Sequence, residues 1–263
     1  MKVAIILNKK IRESDKILKK IESAFNKIDL EYDVLDIDNL KPNYDFVCSI
    51  GGDGTVLKAT RFYAKHSTPV MGINVGRLGF LSIINPDMID KLGNIIKNKK
   101  YEIKDRIMLQ TGNNTAVNDI VIKGHSSIRT SKFNLYINNN LVSEYIADGI
   151  IISTPTGSTA YGLSAGGPII HPDVDAMVIV PICAHTMTAR PLVIPPNEII
   201  TIKSVDELLD VSCDGQEKIS EVKEVSVKKS SYSAKLAFSN VDNFYSILQS
   251  KLHWGISPVS DNL

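Results

Sequence analysis

Apolar and polar positions change their rhythm near the middle of this chain. In the first hundred residues, Val3 to Leu7 is an unbroken apolar run of the kind that fills a buried parallel strand. Leu18, Ile21, Phe25 and Ile28 then recur at helical spacing on a segment otherwise rich in Lys and Glu. Tyr32 to Ile37 and Phe46 to Ile50 read as two more strands, Val56 to Lys65 as a short helix, and Pro69 to Ile73 as a fourth strand. Pro86 stands where a helix starts, and Met88, Ile89, Leu92, Ile95 and Ile96 give that helix an apolar face. Strands alternating with helices predict an α/β domain over 1–100, a parallel sheet flanked by helices.

From Tyr101 onward, short β-rich runs follow one another: Ala116 to Ile122, Phe133 to Ile137, Leu141 to Ile146, Ile150 to Ser153, Val178 to Ile182, Ile199 to Ile202 and Val225 to Lys228. Asn138, Asn139 and Asn140 mark a hairpin loop between two of them. A mainly antiparallel β domain is expected over 101–240. Phe244, Ile247, Leu248 and Leu252 return to helical spacing, and the helix 241–254 is expected to pack back on the first domain.

Composition narrows the function classes. The chain has 263 residues, 43% of them hydrophobic and 22% charged, which is ordinary globular usage. Its net charge of +1 gives no bulk reason to bind nucleic acid or an anionic membrane. No apolar run has the roughly 20 residues of a membrane span. MKVAIILNKK has too short an apolar stretch for a signal peptide. Cys48, Cys183 and Cys213 are odd in number and far apart, so neither a disulfide framework nor a zinc knuckle is expected, and the default compartment is cytoplasmic. His66, His125, His171, His185 and His253 have no metal-ligand spacing.

The sharpest local feature is Gly51-Gly52-Asp53-Gly54-Thr55, placed between a strand and a helix. Gly51, Gly52, Gly54 and Thr55 form a loop that lets backbone N–H groups approach a phosphate at a helix N-terminus. The plainer reading is a tight turn capped by Asp53 or Thr55. There is no GK[ST], so the loop is not a Walker A motif, and Gly72-x-x-x-Gly76-x-x-Gly79 lacks the GxGxxG of dinucleotide-binding oxidoreductases. A carboxylate in a phosphate loop is costly unless it meets a metal or a hydroxyl. Asp53 therefore points to phosphoryl transfer, as a base or as a Mg²⁺ ligand.

Further on, Asp148-Gly149 leads a strand into Ser153-Thr154-Pro155-Thr156-Gly157-Ser158-Thr159-Ala160-Tyr161, then Gly162, Leu163 and Ser164, and on to Gly166-Gly167-Pro168 and His171. Small hydroxyl residues at this density suit recognition of a sugar or an amide, with Tyr161 against a flat ring. The plainer reading is a short helix with Ser158 as its N-cap and Gly166 at its end. Asn118-Asp119 either faces solvent or projects into a site. Cys213-Asp214-Gly215-Gln216 reads as a hairpin turn.

Together these motifs resemble the NAD kinase family: GGDGT at 51–55, NVGRLGFL at 74–81, the Asn-acidic pair at 118–119, DGIIISTPTGSTAY at 148–161 and GGPIIHP at 166–172. The resemblance implies transfer of the terminal phosphoryl of ATP, or of polyphosphate, to the 2′-hydroxyl of the adenosine ribose of NAD, in a site between an α/β and a β-rich domain. It implies Mg²⁺ or another divalent cation with ATP. It places Asp53 at the acceptor hydroxyl as the base and Gly54 beside the dinucleotide. Asn118 and Asp119 would take the adenosine; Asp148, Thr156 and the run Thr159, Ala160, Tyr161, Gly162, Leu163 and Ser164 would hold the other end; Arg129 and Gln216 would add contacts. It also implies a homodimer or homotetramer in which a neighbour completes the site. The family usually has Asn-Glu where this chain has Asn118-Asp119, one methylene shorter.

Two rivals remain at this level. A GGDG kinase for a lipid needs an apolar entrance or a basic patch, and one for a sugar phosphate needs several Arg and His; neither set is seen. A dinucleotide sensor without activity has no use for Asp53.

Overall fold

The computed structural model describes residues 1–76, 79–84, 86–126, 130–186, 188–239 and 244–255. The chain divides into two compact units, Met1–Lys104 with Lys235–Leu263, and Asp105–Ala234.

The first unit is built on a seven-stranded sheet. Its order is Glu31–Asp36, Lys2–Leu7, Phe46–Ile50, Val70–Ile73, Ala234–Phe238 and Glu102–Arg106, with Ser82–Ile84 also paired to Val70–Ile73. The pairings of Lys2–Leu7 with both neighbours, and of Val70–Ile73 with Phe46–Ile50, Ser82–Ile84 and Ala234–Phe238, are parallel. Phe46–Ile50 is buried at every position, as a central parallel strand should be. Helix Ser14–Asn26 buries Ile17, Ile21, Ala24 and Phe25. It ends two residues before Ile28, which the helical stripe included. Helix Ile89–Lys97 lies close to it because Gly93 has no side chain: a Cβ there would sit 2.9 Å from Ile28 Cδ1 and 3.1 Å from the Ala24 carbonyl oxygen. The strand Ala234–Phe238 carries the chain back into this sheet, with Ala234 and Leu236 buried, ahead of helix Phe244–Leu252.

The second unit holds two six-stranded sheets. One runs Asn140–Ala147, Ser131–Ile137, Ile200–Ser204, Glu224–Lys229, Leu109–Thr111 and Asn114–Ala116. The other runs Leu192–Ile194, Met177–Ile182, Gly149–Ser153, Asp119–Gly124, Leu209–Cys213 and Glu217–Val222. The pairings within both are antiparallel. One apolar core joins them, with Phe133, Leu135, Ile200 and Ile202 from the first sheet and Ile120, Ile122, Ile150 and Ile152 from the second.

The strand expected to run unbroken from Ala116 to Ile122 is two strands in two sheets, Asn114–Ala116 and Asp119–Gly124. The break is chemical. The N–H groups of Val117, Asn118 and Asp119 donate to the carboxylate of Asp214 at 3.0, 2.8 and 3.2 Å.

Candidate active site

The first cluster lies at the carboxyl end of Phe46–Ile50. Gly51 is obligatory there, since a Cβ would fall 2.5 Å from Thr55 Oγ1. Gly52 is exposed and precedes helix Asp53–Ala64, so neither Asp53 nor Thr55 caps that helix. Thr55 Oγ1 instead accepts a hydrogen bond from Asn8 Nδ2 at 3.2 Å. Gly54 is exposed beside it.

Asp53 is the first residue of the helix, and its carboxylate turns toward the second glycine segment. Oδ1 accepts the N–H of Leu81 (3.1 Å), the N–H of Ser82 (3.0 Å) and the Ser82 hydroxyl (3.0 Å). Oδ2 accepts the N–H of Phe80 at 2.9 Å. Lys251, on helix Phe244–Leu252, brings its Nζ to 4.0 Å from Oδ2 and 5.0 Å from the centre of the Phe80 ring. The two glycine motifs are thus one structure, fastened by Asp53. Ser82 and Lys251 were not singled out in the sequence. Ser82 directly follows the NVGRLGFL motif, whereas nothing in the sequence connects Lys251 to a loop 200 residues earlier.

The second cluster is a pocket of about 230 Å³ in the β-rich unit, lined by Asn118, Asp119, Val121, Ala160, Tyr161, Asp214 and Gly215. That is below the roughly 300–1,000 Å³ of sites enclosing a drug-sized ligand, and matches one end of a dinucleotide better than the whole. Tyr161 is 40% exposed, with Lys123 Nζ 5.8 Å from its ring centre. Asn118 Oδ1 is buried and meets no hydrogen-bond donor among the described residues. Such an orphaned acceptor costs about 1–3 kcal/mol unless a donor arrives. Burial, and then the negative charge of Asp214, push the carboxyl of Asp119 up to about 7.

Backbone contacts bring the motifs together. Thr154 donates its N–H to the Asn118 carbonyl (2.8 Å) and its hydroxyl to the Val117 carbonyl (2.6 Å), while its Oγ1 accepts the Gly157 N–H (3.0 Å). Gly157 lies against the Asn118 backbone, where a Cβ would fall 2.1 Å from the carbonyl oxygen. The hydroxyl run forms a 3-10 turn, Thr156–Thr159, followed by the single helical turn Tyr161–Ser164. Ser158 is not an N-cap: its hydroxyl bonds to the carbonyls of Pro155 and Ile170 and accepts the Ile170 N–H. Gly166 does end the turn, in the left-handed region at φ 86°.

Ala160 and Tyr161 therefore join Asn118 and Asp119, while Thr156, Thr159, Gly162, Leu163 and Ser164 belong to the same two turns without lining the pocket. Asp148 is separate. It is exposed before Gly149–Ser153, whose far end, Ser153, pairs with Asp119, so the five strand residues hold it roughly 15 Å from Asp119. Gln216 is exposed in the turn after Asp214. Arg129 lies outside the described residues. The sequence alone shows Asp214 and Gly215 only as a hairpin turn; they form one and also line the pocket.

Among the described residues, no three His, Cys, Asp or Glu side chains converge to hold a metal ion. Nor is any helix among them long and apolar enough to cross a membrane.

Comparison with known proteins covers both clusters. Residues 5–101 match the family described as ATP-NAD kinase N-terminal domain, and residues 117–238 the ATP-NAD kinase C-terminal domain. The NAD kinase of Legionella pneumophila (strain Corby) is 40% identical over 240 residues, covering 86% of this chain and 81% of that protein. That of Pseudomonas putida (strain W619) is 40% identical over 225 residues, covering 80% and 76%. The crystal structure of an NAD kinase from Archaeoglobus fulgidus in complex with ATP superposes with a TM-score of 0.82 at 25% identity, covering 94% of this chain and 97% of that one. Yeast NADH kinase complexed with NADH shares the fold, with a TM-score of 0.83 at 22% identity over 98% and 89% of the two chains. Motifs, fold and relatives agree on a phosphotransferase. The chain belongs to the NAD kinase family.

Proposed function

We propose that this chain transfers the terminal phosphoryl of ATP, carried with a divalent cation, to the 2′-hydroxyl of the adenosine ribose of NAD, giving NADP. The observation that carries the reading is the orphaned Asn118 Oδ1 in a nucleoside-sized pocket lined by Tyr161 and a carboxyl. An exocyclic adenine amine supplies the donor that oxygen lacks. Tyr161, which the resemblance put at the other end of the dinucleotide, shares this pocket with Asn118 and is reassigned to offer the face on which the adenine stacks, and Asp119 takes the ribose or the ring edge.

Asp53 is the group proposed to accept the 2′-hydroxyl proton. Oδ1 already takes three hydrogen bonds, so Oδ2, with one, is the oxygen that has a lone pair for the incoming hydroxyl. The carboxylate is also held rigidly, as transfer to a poor nucleophile requires, since positioning carries much of the rate. Gly51, Gly52, Gly54 and Thr55 present the helix N-terminus to the donor phosphates. The divalent cation enters as part of the triphosphate substrate, with its charge neutralised chiefly by phosphate oxygens.

Asp148 stands five residues along its strand from Ser153, the partner of Asp119. We assign it to the other end of the dinucleotide, in a neighbouring copy of a homodimer or homotetramer. Arg129 and Gln216 are kept as further dinucleotide contacts. The protein is proposed to work in the cytoplasm.

The test is product formation. Purified protein with NAD, ATP and Mg²⁺ should yield NADP, read with an NADP-specific dehydrogenase, and none without a donor. Product from polyphosphate alone would change the donor and keep the acceptor. NAD binding without NADP from either donor would mean a sensor.

A further inference from the structure

We infer that Asp214 is the positioning residue that sets Asn118 and Asp119 for the dinucleotide; this rests on the reading above that the pair binds the adenosine. The segment Val117–Asn118–Asp119 leads from the end of one strand into the first residue of a strand in the other sheet, and all three of its N–H groups turn to one side chain. Asp214 takes all three on one carboxylate and returns its own N–H to the Asp119 carbonyl at 2.9 Å. Thr154 closes on the other side through the Val117 and Asn118 carbonyls. The crossing is held between two jaws, and the side chains of residues 118 and 119 leave it into the pocket. Asp214 and Gly215 adopt φ 51° and 65°, a tight turn that an Asp-Gly pair tolerates, and this aims the carboxylate back at the crossing.

Asp214 is also the charge that Asp119 feels. The other titratable group lining the pocket is Tyr161, from the single helical turn, with the Lys123 ammonium over its ring. From the strand Gly149–Ser153 the residue opposite Asp119 is Ser153, which does not titrate, and Cys213 is turned into the apolar core. Removing the Asp214 charge leaves burial alone to hold the Asp119 carboxyl up, so its titration moves toward the usual carboxylate range.

The experiment is steady-state kinetics of Asp214→Asn at varied NAD and saturating Mg·ATP, from pH 5.5 to 8.5. In Asn, one of the two carboxylate oxygens becomes an N–H₂ facing backbone donors. The KM for NAD should rise about 10- to 100-fold, as for loss of one charge-assisted hydrogen bond, while kcat and the KM for ATP change less than about threefold. In the wild type, kcat/KM for NAD should break near the Asp119 titration; the break moves to lower pH in Asp214→Asn and disappears in Asp119→Asn. Asp214→Ser, which accepts one N–H without the charge, replaces Asp214→Asn if the latter melts too early. A KM within twofold of wild type overturns the proposal. A raised KM with an unmoved break marks a fold contact only and overturns it too. If wild type makes no NADP, the catalytic reading fails separately, and titration of NAD binding to the same variants decides this one, with equal affinity as the contrary result.

Discussion

Gly79 leaves the space that Asp53 fills. A Cβ at Gly79 would fall 1.9 Å from Asp53 Oδ1 and 2.2 Å from Ser82 Oγ, so the glycine of one motif and the carboxylate of the other are a fitted pair. The second glycine motif is therefore a backbone cradle for Asp53, which turns three successive N–H groups toward it.

Gly79→Ala is expected to push Asp53 off its hydrogen bonds. Overpacking at such a contact costs about 1–3 kcal/mol. Turnover should fall at least tenfold, because a displacement near 1 Å costs about 10²-fold where geometry sets the rate. Melting curves with NADP assays check this; normal turnover in the folded variant contradicts it.

The matching pair in the β-rich unit is Gly157 and Asn118. A Cβ on Gly157 would meet backbone atoms of Asn118 at 2.1 and 2.4 Å, which cannot swing aside as a side chain can. Gly157→Ala should raise the KM for NAD about tenfold or more, with the KM for ATP unchanged, since the shift falls on the adenosine pocket. Initial rates at varied NAD and ATP separate the two.

Asp119 predicts a pH dependence of stability. Its carboxyl titrates near 7 in the folded chain, against an ordinary value of 3.8. Between those values the folded state keeps a proton that the unfolded chain has lost, so stability falls as pH rises, by at most about 1.4 kcal/mol per pH unit, and levels off above 7. The difference between wild type and Asp119→Asn in urea midpoints, from pH 4.5 to 8, isolates this contribution. A constant difference across that range contradicts it.

How much of this was legible beforehand depends on how local each signal was. Phe46–Ile50 and the Gly51–Thr55 loop could be read directly, because an apolar run followed by glycines is a local pattern. The Ala234–Phe238 strand is not legible in the sequence; its place beside Val70–Ile73 comes from the pairing of Leu236 with Val70, 166 residues apart, and five residues carry little periodicity. Nor is the break at Val117. The run AVNDIVI suits a strand throughout, and only the carboxylate of Asp214, nearly a hundred residues later, stops the ladder. In the candidate site, the residue types pointed to Asp53 and Tyr161, and the family resemblance added Asn118 and Asp119. They left silent the fact that Asp53 is hydrogen-bonded to the next motif, and that Asp214, Ser82 and Lys251 stand beside these residues.

The most direct test compares kcat for wild type, Asp53→Asn and Ser82→Ala with NAD and Mg·ATP saturating, and NAD binding measured on each. Asp53→Asn should lose about 10²–10⁴-fold in kcat while still binding NAD, the usual contribution of a general base. Ser82→Ala, which removes one hydrogen bond to Oδ1 and leaves the carboxylate, should lose less than about tenfold. Near-normal turnover by Asp53→Asn would remove that carboxylate from the reaction and contradict the account.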